Sequence, residues 1–406
     1  MNKPSGSLFQ LAVILSALGF FVDIYDLLLF TIVRKASLAD LGLNAARILT
    51  QGELLISTQM IGMLLGGILF GILGDKKGRL KVLFASILLY SIANILNGMV
   101  TTVNQYIILR FIAGVGLAGE LGAGVTLVSE LLPKEKRGTA AGLIAGFGLM
   151  GAVTAFFVHE QVSWRGCYYI GGALGIILLL LRFQIKESSL FNNMHSSNVS
   201  KGNFLMFFTN RRRFVRYMQI ILIGIPVWYI IGVLITFSDK FGEELGITGV
   251  DPARAVMFLY LAIAVGDVSV GWLSEKLRSR KKVFFIFYGI TILFTIFFFL
   301  QPYKSTTLFY WICVGLGFGS GFNVIYLTMG VEQFGTNLRA SAGISVPNMV
   351  RGSVPLIILL FKSLRDCFSS YLTGGWITGL ILFSIGVVAA VFLEETHGKE
   401  LDFVEE

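Results

Sequence analysis

The fold of this chain is decided by the stretch Gly19-Phe-Phe-Val-Asp-Ile-Tyr-Asp-Leu-Leu-Leu-Phe30, which lies inside an apolar run from Leu8 to Val33. The run is long enough to cross a bilayer as a helix, which takes about 20 residues. It nevertheless carries Asp23 and Asp26, and a charge at the bilayer centre costs about 2.5–3.5 kcal/mol on insertion scales. The two carboxylates stand three positions apart, so they share one helix face, with Tyr25 beside it. We interpret this face as the lining of a solute path or as a polar face buried between helices.

The composition identifies an integral membrane protein. Of the 406 residues, 55% are hydrophobic and only 14% are charged, whereas soluble domains average about 25% charged residues. The net charge of +9 does not indicate a nucleic-acid partner, because the basic residues cluster in short loops between apolar runs. The three cysteines and three histidines are scattered, so we expect neither a disulfide framework nor a metal site. We expect a monomer in the lipid bilayer.

Twelve apolar runs divide the chain. They are numbered here as spans one to twelve and cover residues 8–33, 51–73, 82–101, 104–132, 138–158, 166–183, 214–237, 255–274, 283–301, 306–329, 340–361 and 374–393. The longest polar segment, Ile185–Arg213, separates spans six and seven and is predicted to be a flexible linker. The pattern predicts an all-α membrane protein with an N-terminal six-helix bundle over 1–185, a linker over 186–213 and a C-terminal six-helix bundle with a short tail over 214–406.

The basic residues of the loops predict the orientation. Loops after even-numbered spans hold eighteen Lys and Arg, and loops after odd-numbered spans hold nine. Because cytoplasmic loops carry the excess of positive charge, the even loops and both termini are predicted to be cytoplasmic. We expect the plasma membrane, the inner membrane of a bacterium, as the location.

The two halves of the chain repeat each other at an offset of 200–202 residues. The matching pairs are Gly71–Lys76 with Gly271–Lys276, Gly114–Gly116 with Gly315–Gly317, and Glu130 and Arg137 with Glu332 and Arg339. A near-constant offset over three motifs indicates a duplicated six-helix unit. The duplication implies a site at the interface of the two repeats, near the middle of the membrane.

The loop between spans two and three reads Gly74-Asp-Lys-Lys-Gly-Arg-Leu-Lys81. It resembles the loop signature of the major facilitator superfamily, a large group of secondary transporters. The resemblance implies a latch that closes the cytoplasmic side. The latch residues it implies are Asp75, Arg79, Glu130 and Arg137 in the first half, and Glu275, Glu332 and Arg339 in the second.

Further resemblances cover nearly the whole chain. The run Arg110–Glu120 resembles the span-four signature of the superfamily, and the segment Glu395–Asp402 resembles the tail of its sugar-porter and organic-ion branches. The motif Gly19-Phe-Phe-x-Asp-x-Tyr-Asp-Leu27 is similar to the first helix of proton-coupled phosphate porters and aromatic-acid symporters. That similarity implies proton and substrate handling by Asp26, Arg110 and Glu120. The phosphate pattern is incomplete, since Gly232 stands where those porters carry an aspartate.

Position along the spans gives an independent prediction for these residues. Asp26 and Arg110 are each six or seven residues from the outer ends of their spans, about 10 Å deep at 1.5 Å per residue, where they can pair. Glu120 lies nearer the middle. A buried carboxylate without a fixed cation binds a proton more readily, which makes Glu120 a proton carrier together with Asp23 and Asp26.

The second half supplies further candidates for the solute site. Arg351 lies within span eleven and needs a partner, either an anionic solute or Asp267. Pro226 precedes two aromatic residues and is expected to kink span seven. The predicted substrate-binding residues are Tyr25, Asp26, Arg110, Trp228, Tyr229, Asp267, Asn323, Tyr326, Asn348 and Arg351.

The function predicted from these features is import of a small polar, anionic metabolite by proton symport, with the proton as coupling ion and no other cofactor. The first alternative is an antiporter that exports a metabolite or drug. Gly142–Gly151 lacks the Gly-Pro typical of such antiporters, which favours symport. The second alternative is a receptor or scaffold, which does not require buried carboxylates. No protease or hydrolase motif occurs in the spans, so we do not expect an enzyme.

Overall fold

The computed structural model describes residues 11–77, 79–120, 124, 134–183, 204–301 and 303–397, and the regular structure of these residues is helical throughout. Ten segments are long and apolar enough to cross a membrane, and Val103–Leu117 is a shorter apolar helix. Together with the helix Lys134–Gln161 they correspond one to one with the twelve predicted spans. The all-α membrane class is confirmed.

The twelve spans have definite bounds in the structure. Spans one to six are Leu11–Asp40, Ala45–Lys77, Arg79–Asn97, Val103–Leu117, Lys134–Gln161 and Trp164–Arg182; spans seven to twelve are Arg211–Tyr229 continued by Ile230–Ile235, Pro252–Leu277, Arg280–Leu300, Thr306–Gly319 with Phe322–Glu332, Thr336–Gly352 with Val354–Phe368, and Tyr371–Phe392. Two short helices, Met206–Thr209 and Ser238–Leu245, flank span seven. We call the end of the bundle at which span one finishes the distal end, and the end at which span two finishes the proximal end.

Short polar residues start several spans. Thr102 forms a capping box with Gln105 at span four, and Asn210 accepts hydrogen bonds from two backbone N–H groups at the start of span seven. Asp251 does the same for span eight, where Pro252 occupies the first turn. These side chains satisfy N–H groups that have no partner inside the helix, which fixes where each span begins.

Close helix crossings recur in both halves. A side chain at Gly114 of span four would collide with the backbone carbonyl of Gln59 in span two. A side chain at Gly317 of span ten would collide in the same way with the carbonyl of Leu259 in span eight. Glycine therefore permits the same close approach of two spans in each half, which agrees with the duplicated unit that the sequence indicates.

Span seven is irregular after Pro226. The helix continues from Ile230 to Ile235 as a π-helix, and the Thr236 N–H donates to the carbonyl of Ile231, five residues back, at 3.2 Å. Proline lacks an N–H and disturbs the regular ladder, and wide turns of this type recur at functional sites. The π-helix begins directly after Tyr229, and the kink expected at Pro226 stays a prediction.

The two halves face each other along four main spans. Span two packs against span eleven, and span five packs against span eight, while span one also contacts span eight. Side chains that point from these spans into the interface are therefore positioned to contact a solute between the halves.

Candidate functional site

An ion pair between the halves lies at the centre of the interface. The Asp23 Oδ2 of span one is 3.9 Å from the Arg351 Nη1 of span eleven, and both residues are buried. Neither oxygen of Asp23 accepts a hydrogen bond from any residue that the structure describes. The pair is thus held by charge attraction alone, and both Asp23 oxygens can still accept a hydrogen bond.

Trp228 and Asn348 flank this pair. The Arg351 guanidinium carbon is 5.7 Å from the centre of the Trp228 ring, a cation–π contact. The Asn348 amide donates to the Ala118 carbonyl of span four and to the Ile344 carbonyl, each at 3.0 Å. Its Oδ1 is buried without a hydrogen-bond partner among the described residues. Trp228, Asn348, Arg351 and Asp23 therefore form a buried polar cluster, which we call the central cluster.

The partner of Arg351 differs from the one considered in the sequence. Asp267 was its expected protein partner, but the acidic group within 4 Å of Arg351 in the described part of the chain is Asp23. Arg351 reaches across to span one, whereas Asp267 lies on the side of span eight next to the Gly266–Gly321 crossing with span ten. Asp267 is itself buried, and its Oδ1 has no hydrogen-bond partner among the residues described.

Asp26 and Arg110 are neighbours but do not form the predicted ion pair. The Arg110 Nη2 donates to the backbone carbonyl of Asp26 at 3.3 Å, and no carboxylate lies within 4 Å of Arg110 in the described segments. Both carboxylate oxygens of Asp26 are buried without a hydrogen bond from that part of the chain, and Oδ1 lies against Gly171. The predicted depth of Asp26 is also too shallow, because span one continues to Asp40, about 21 Å beyond Asp26 at 1.5 Å per residue.

Two predicted aromatic site residues face away from the central cluster. The Tyr25 hydroxyl donates to the Cys167 carbonyl of span six at 2.9 Å, and the Tyr229 hydroxyl donates to the Gly375 carbonyl of span twelve at 2.6 Å. Each hydroxyl is therefore engaged by another span, and the assignment of the two residues to substrate binding stays a prediction. A helix turns about 100° per residue, so Tyr25 lies on nearly the opposite side from Asp23, and Tyr229 points a quarter-turn away from Trp228.

Glu120 has a fixed cation, contrary to the reasoning that selected it as a proton carrier. Arg182, the last residue of span six, binds it through two hydrogen bonds: one from Nη2 to Oε1, and one from Nη1 to Oε2 at 3.0 Å. Arg182 also donates to the Leu15 carbonyl at 3.0 Å, and both side chains are 1% exposed. Span six runs about 27 Å from its distal start to Arg182, so Glu120 lies near the proximal end and not at the middle.

Asn323 and Tyr326 occupy the second helix of span ten. Asn323 is half-buried, and its side chain makes no hydrogen bond within the described ranges. Tyr326 is buried against Gly224 of span seven, where an added Cβ would lie 2.9 Å from its ring. Both residues remain predictions as substrate contacts.

Two ion-pair clusters join the halves at the distal end. Asp239, just after span seven, forms ion pairs with Arg34 at 3.3 Å and with Lys35 at 2.9 Å, both from span one. Glu53 of span two forms an ion pair with Arg365 at 2.6 Å, and the Lys362 ammonium lies 3.8 Å from the same carboxylate. The exposed fractions are 2% for Arg34, 3% for Asp239, 4% for Glu53 and 9% for Arg365, so the distal end is closed by buried charge pairs. We call these six residues the distal clusters.

The proximal latch is described only in the second half. Arg280, which the sequence did not single out, binds Glu275 at 3.1 Å and Glu332 at 3.3 Å and so joins two of the predicted latch residues. Thr396 also donates to Glu332. Glu130 and the side chains of Asp75, Arg79, Arg137 and Arg339 lie outside the described residues, and their latch role stays a prediction.

The tail is docked beside this latch. Burial alone raises the pKa of Glu395, but hydrogen bonds from Ser279 and from the backbone N–H groups of His397, Arg280 and Lys281 outweigh it and lower the pKa to about 2. The ionised Glu395 carboxylate therefore contributes its full stabilisation of the folded state above the unfolded pKa near 4.5. This contribution is lost only as the pH falls toward 2. At neutral pH the carboxylate stays ionised and caps span nine.

Sequence reasoning missed several of these residues. Arg34, Arg365 and Arg280 were counted only as loop charges, and Glu53, Asp239 and Arg182 were not selected. Their signal in the sequence is a charged residue just inside the end of an apolar span, as in Leu179-Leu-Leu-Arg182. That signal alone does not separate a buried ion pair from an arginine that reaches the membrane surface.

Comparisons with known proteins agree with this architecture. Residues 8–359 match the family model described as Major Facilitator Superfamily. The chain is 24% identical to the niacin transporter NiaP of Acinetobacter baylyi, over 99% of this chain and 98% of that protein. It is 25% identical to the cis,cis-muconate transport protein of the same organism, over 95% and 94% of the two chains. These matches confirm the prediction of a membrane transporter rather than an enzyme.

A solved structure supports the fold. The proton:xylose symporter XylE, bound to 6-bromo-6-deoxy-D-glucose, superposes with a TM-score of 0.76 at 16% identity, and the match covers 98% of each chain. At this identity the likeness concerns the fold alone.

Proposed function

This chain belongs to the major facilitator superfamily, and from that premise we propose that it is a proton-coupled symporter that imports a small organic acid by alternating access. In this proposal the central cluster holds the acid group of the cargo, and a neighbouring buried carboxylate carries the proton.

The observation that carries the proposal is an excess of buried carboxylates. Between the distal clusters and the Glu120–Arg182 pair of the proximal end, the described interior holds three buried carboxylates and two buried guanidiniums. These residues are Asp23, Asp26 and Asp267, and Arg110 and Arg351. An isolated charge in the membrane interior costs several kcal/mol, so one carboxylate is best neutralised by a proton. Asp23 and Asp26 each have a guanidinium beside them, Arg351 and Arg110, respectively. Asp267 has no ion-pair partner within 4 Å in the described part of the chain, and we assign the proton to it.

The cargo class follows from Arg351. Its planar guanidinium presents paired donors that match a carboxylate, and Asp23 approaches it only to 3.9 Å without a hydrogen bond. A cargo carboxylate that displaces Asp23 from Arg351 satisfies the guanidinium, and Trp228 offers an apolar surface beside it. The compounds named for the two relatives, niacin and cis,cis-muconate, are both organic acids, which supports this class.

The orientation proposed for the bundle determines which end must open first during import. The excess of Lys and Arg in loops at the proximal end favours a cytoplasmic proximal end. The distal clusters then close the outer side. Import requires that these clusters separate to admit cargo and a proton, and that the proximal latch opens after they have re-formed.

Proton-driven uptake tests the proposal. Purified protein in proteoliposomes should accumulate niacin or cis,cis-muconate when the outside is acidified by one pH unit, with the membrane potential clamped. One proton per cycle at this gradient supports up to about tenfold accumulation. Radiolabelled cargo inside the vesicles is the measurement.

Empty vesicles and protein in vesicles without a pH step are the controls. Accumulation driven by a sodium gradient alone, or net export of cargo toward the acidic side, would contradict proton-coupled import.

The distal clusters give a second prediction. Changing Glu53 to Gln together with Asp239 to Asn should shift the protein toward a distal-open state by about 5- to 150-fold, or 1–3 kcal/mol. The reason is that Arg34 and Arg365 lose their buried carboxylates in the closed state, whereas water solvates both guanidiniums in the open state. Spin labels at the exposed positions Arg47 and Thr248, in a Cys367→Ser background, report the distance between the halves.

Glu243→Gln is the matched control, because its ion pair with Lys240 is exposed and lies within one half. We expect no change in the label distance for this variant. An unchanged distance distribution in the double variant would show that the distal clusters do not hold the outer side closed.

A further inference from the structure

A cavity of about 1010 Å³ opens at the proximal end, between the start of span seven and the end of span twelve. It lies away from the central cluster. Arg211, Arg212 and Arg216 line it on one side, and Phe392 and Glu394 line it on the other. Neither the transport cycle nor the proximal latch described above uses these residues.

The charge of this cavity is positive. Three guanidiniums face a single carboxylate, and Arg211 and Arg212 are exposed without an ion pair inside the described ranges. Arg216 is held in place, because its Nη1 donates to the Gln333 carbonyl at 2.8 Å and its guanidinium lies 5.4 Å from the centre of the Phe334 ring. Guanidinium groups bind phosphate oxygens through paired hydrogen bonds, so the cavity complements a phosphate group.

The surface around the cavity is apolar. The exposed hydrophobic residues beside it are Leu205 at 68%, Phe208 at 47%, Phe214 at 39%, Val215 at 43% and Phe392 at 73%. The short helix Met206–Thr209 is fixed against span seven, because Phe207 stacks on Tyr217 at 4.5 Å between ring centres. Its neighbours Leu205 and Phe208 are therefore held outward, where span seven enters the membrane. Basic groups next to exposed apolar side chains are typical of the boundary between headgroups and acyl chains.

We propose that this cavity binds the phosphate headgroup of an anionic phospholipid, with its acyl chains along Phe208, Phe214 and Phe392. The arginines supply the phosphate contacts, and the aromatic residues supply an apolar surface that a free phosphate ion does not use. Basic pockets between membrane helices commonly hold acidic headgroups, and each basic residue near such a surface contributes about fivefold in affinity.

Lipid titration of the purified full-length protein tests the site. Native mass spectrometry should show phosphatidylglycerol bound at least about tenfold more tightly than phosphatidylcholine, and Arg211→Gln with Arg212→Gln should lower the phosphatidylglycerol affinity by about 30-fold. Lys276→Gln with Lys282→Gln removes the same charge from exposed positions at the same end but outside the cavity, and should change the affinity by less than about twofold.

Two further measurements distinguish binding of a lipid from binding of other anions. Inorganic phosphate at millimolar concentration should not displace phosphatidylglycerol, and Phe208→Ser with Phe392→Ser should weaken lipid binding although all arginines remain. Equal losses in both double charge variants, displacement by phosphate, or unchanged binding after removal of the two phenylalanines would each overturn the proposal.

Discussion

Replacing Arg182 by Met lowers the free energy of unfolding by about 3–5 kcal/mol, the largest stability effect that we expect for a single change in this protein. The substitution strands Glu120, which is 1% exposed and takes two hydrogen bonds from Arg182. It also removes the donor to the Leu15 carbonyl in span one. A buried carboxylate that loses its cation still carries the full free-energy penalty of leaving water. A methionine of similar length makes no interaction that offsets this penalty.

The double variant Arg182→Met with Glu120→Leu should be milder than the sum of the single variants. Removing both charges together leaves neither one stranded, and an apolar pair often replaces a buried ion pair at little cost. Unfolding of the purified protein in detergent, followed by heat or by denaturant, measures all three variants. Arg254→Met, at an exposed position of span eight, is the control and should change the stability by less than about 0.5 kcal/mol. Strictly additive losses would show that the two side chains do not stabilise each other.

Asp267→Asn abolishes uphill accumulation of cargo and leaves exchange down a gradient intact. Asparagine keeps the shape of the side chain but does not release a proton. Because Asp267 has no ion-pair partner within 4 Å among the described residues, the change strands no cation and should not impair folding. At a step of one pH unit the accumulation ratio should fall from up to about tenfold to one.

Counterflow and proton-driven uptake, measured side by side in proteoliposomes, check this result. Asp251→Asn is the matched control, since it makes the same chemical change at the cap of the same helix, where asparagine caps equally well. Accumulation at the wild-type level by Asp267→Asn would assign the proton to Asp23 or Asp26. Asp23→Asn differs from both variants, because it leaves Arg351 without its carboxylate and should alter cargo affinity first.

The sequence by itself determined the class of the protein and the order of its elements. Apolar runs of about 20 residues must become helices in a bilayer, since each backbone group has to find its partner within the segment. The twelve spans and the repeat of the two halves therefore follow from the sequence pattern alone. The same reasoning placed Asp23 and Arg351 within spans, because a charged residue inside an apolar run is visible in one dimension.

Only the tertiary structure decided which of these residues meet. Position along a span gives depth, but the partner of a side chain depends on how neighbouring helices are rotated and where each one ends. Asp23 therefore pairs with Arg351 across the halves, and Glu120 with Arg182 near the proximal end, although neither pairing is marked in the sequence. The distal clusters join residues 205 and 312 positions apart in the chain. Such contacts are fixed by the packing of whole helices, because a buried charge is stable only beside the partner that the packing brings to it.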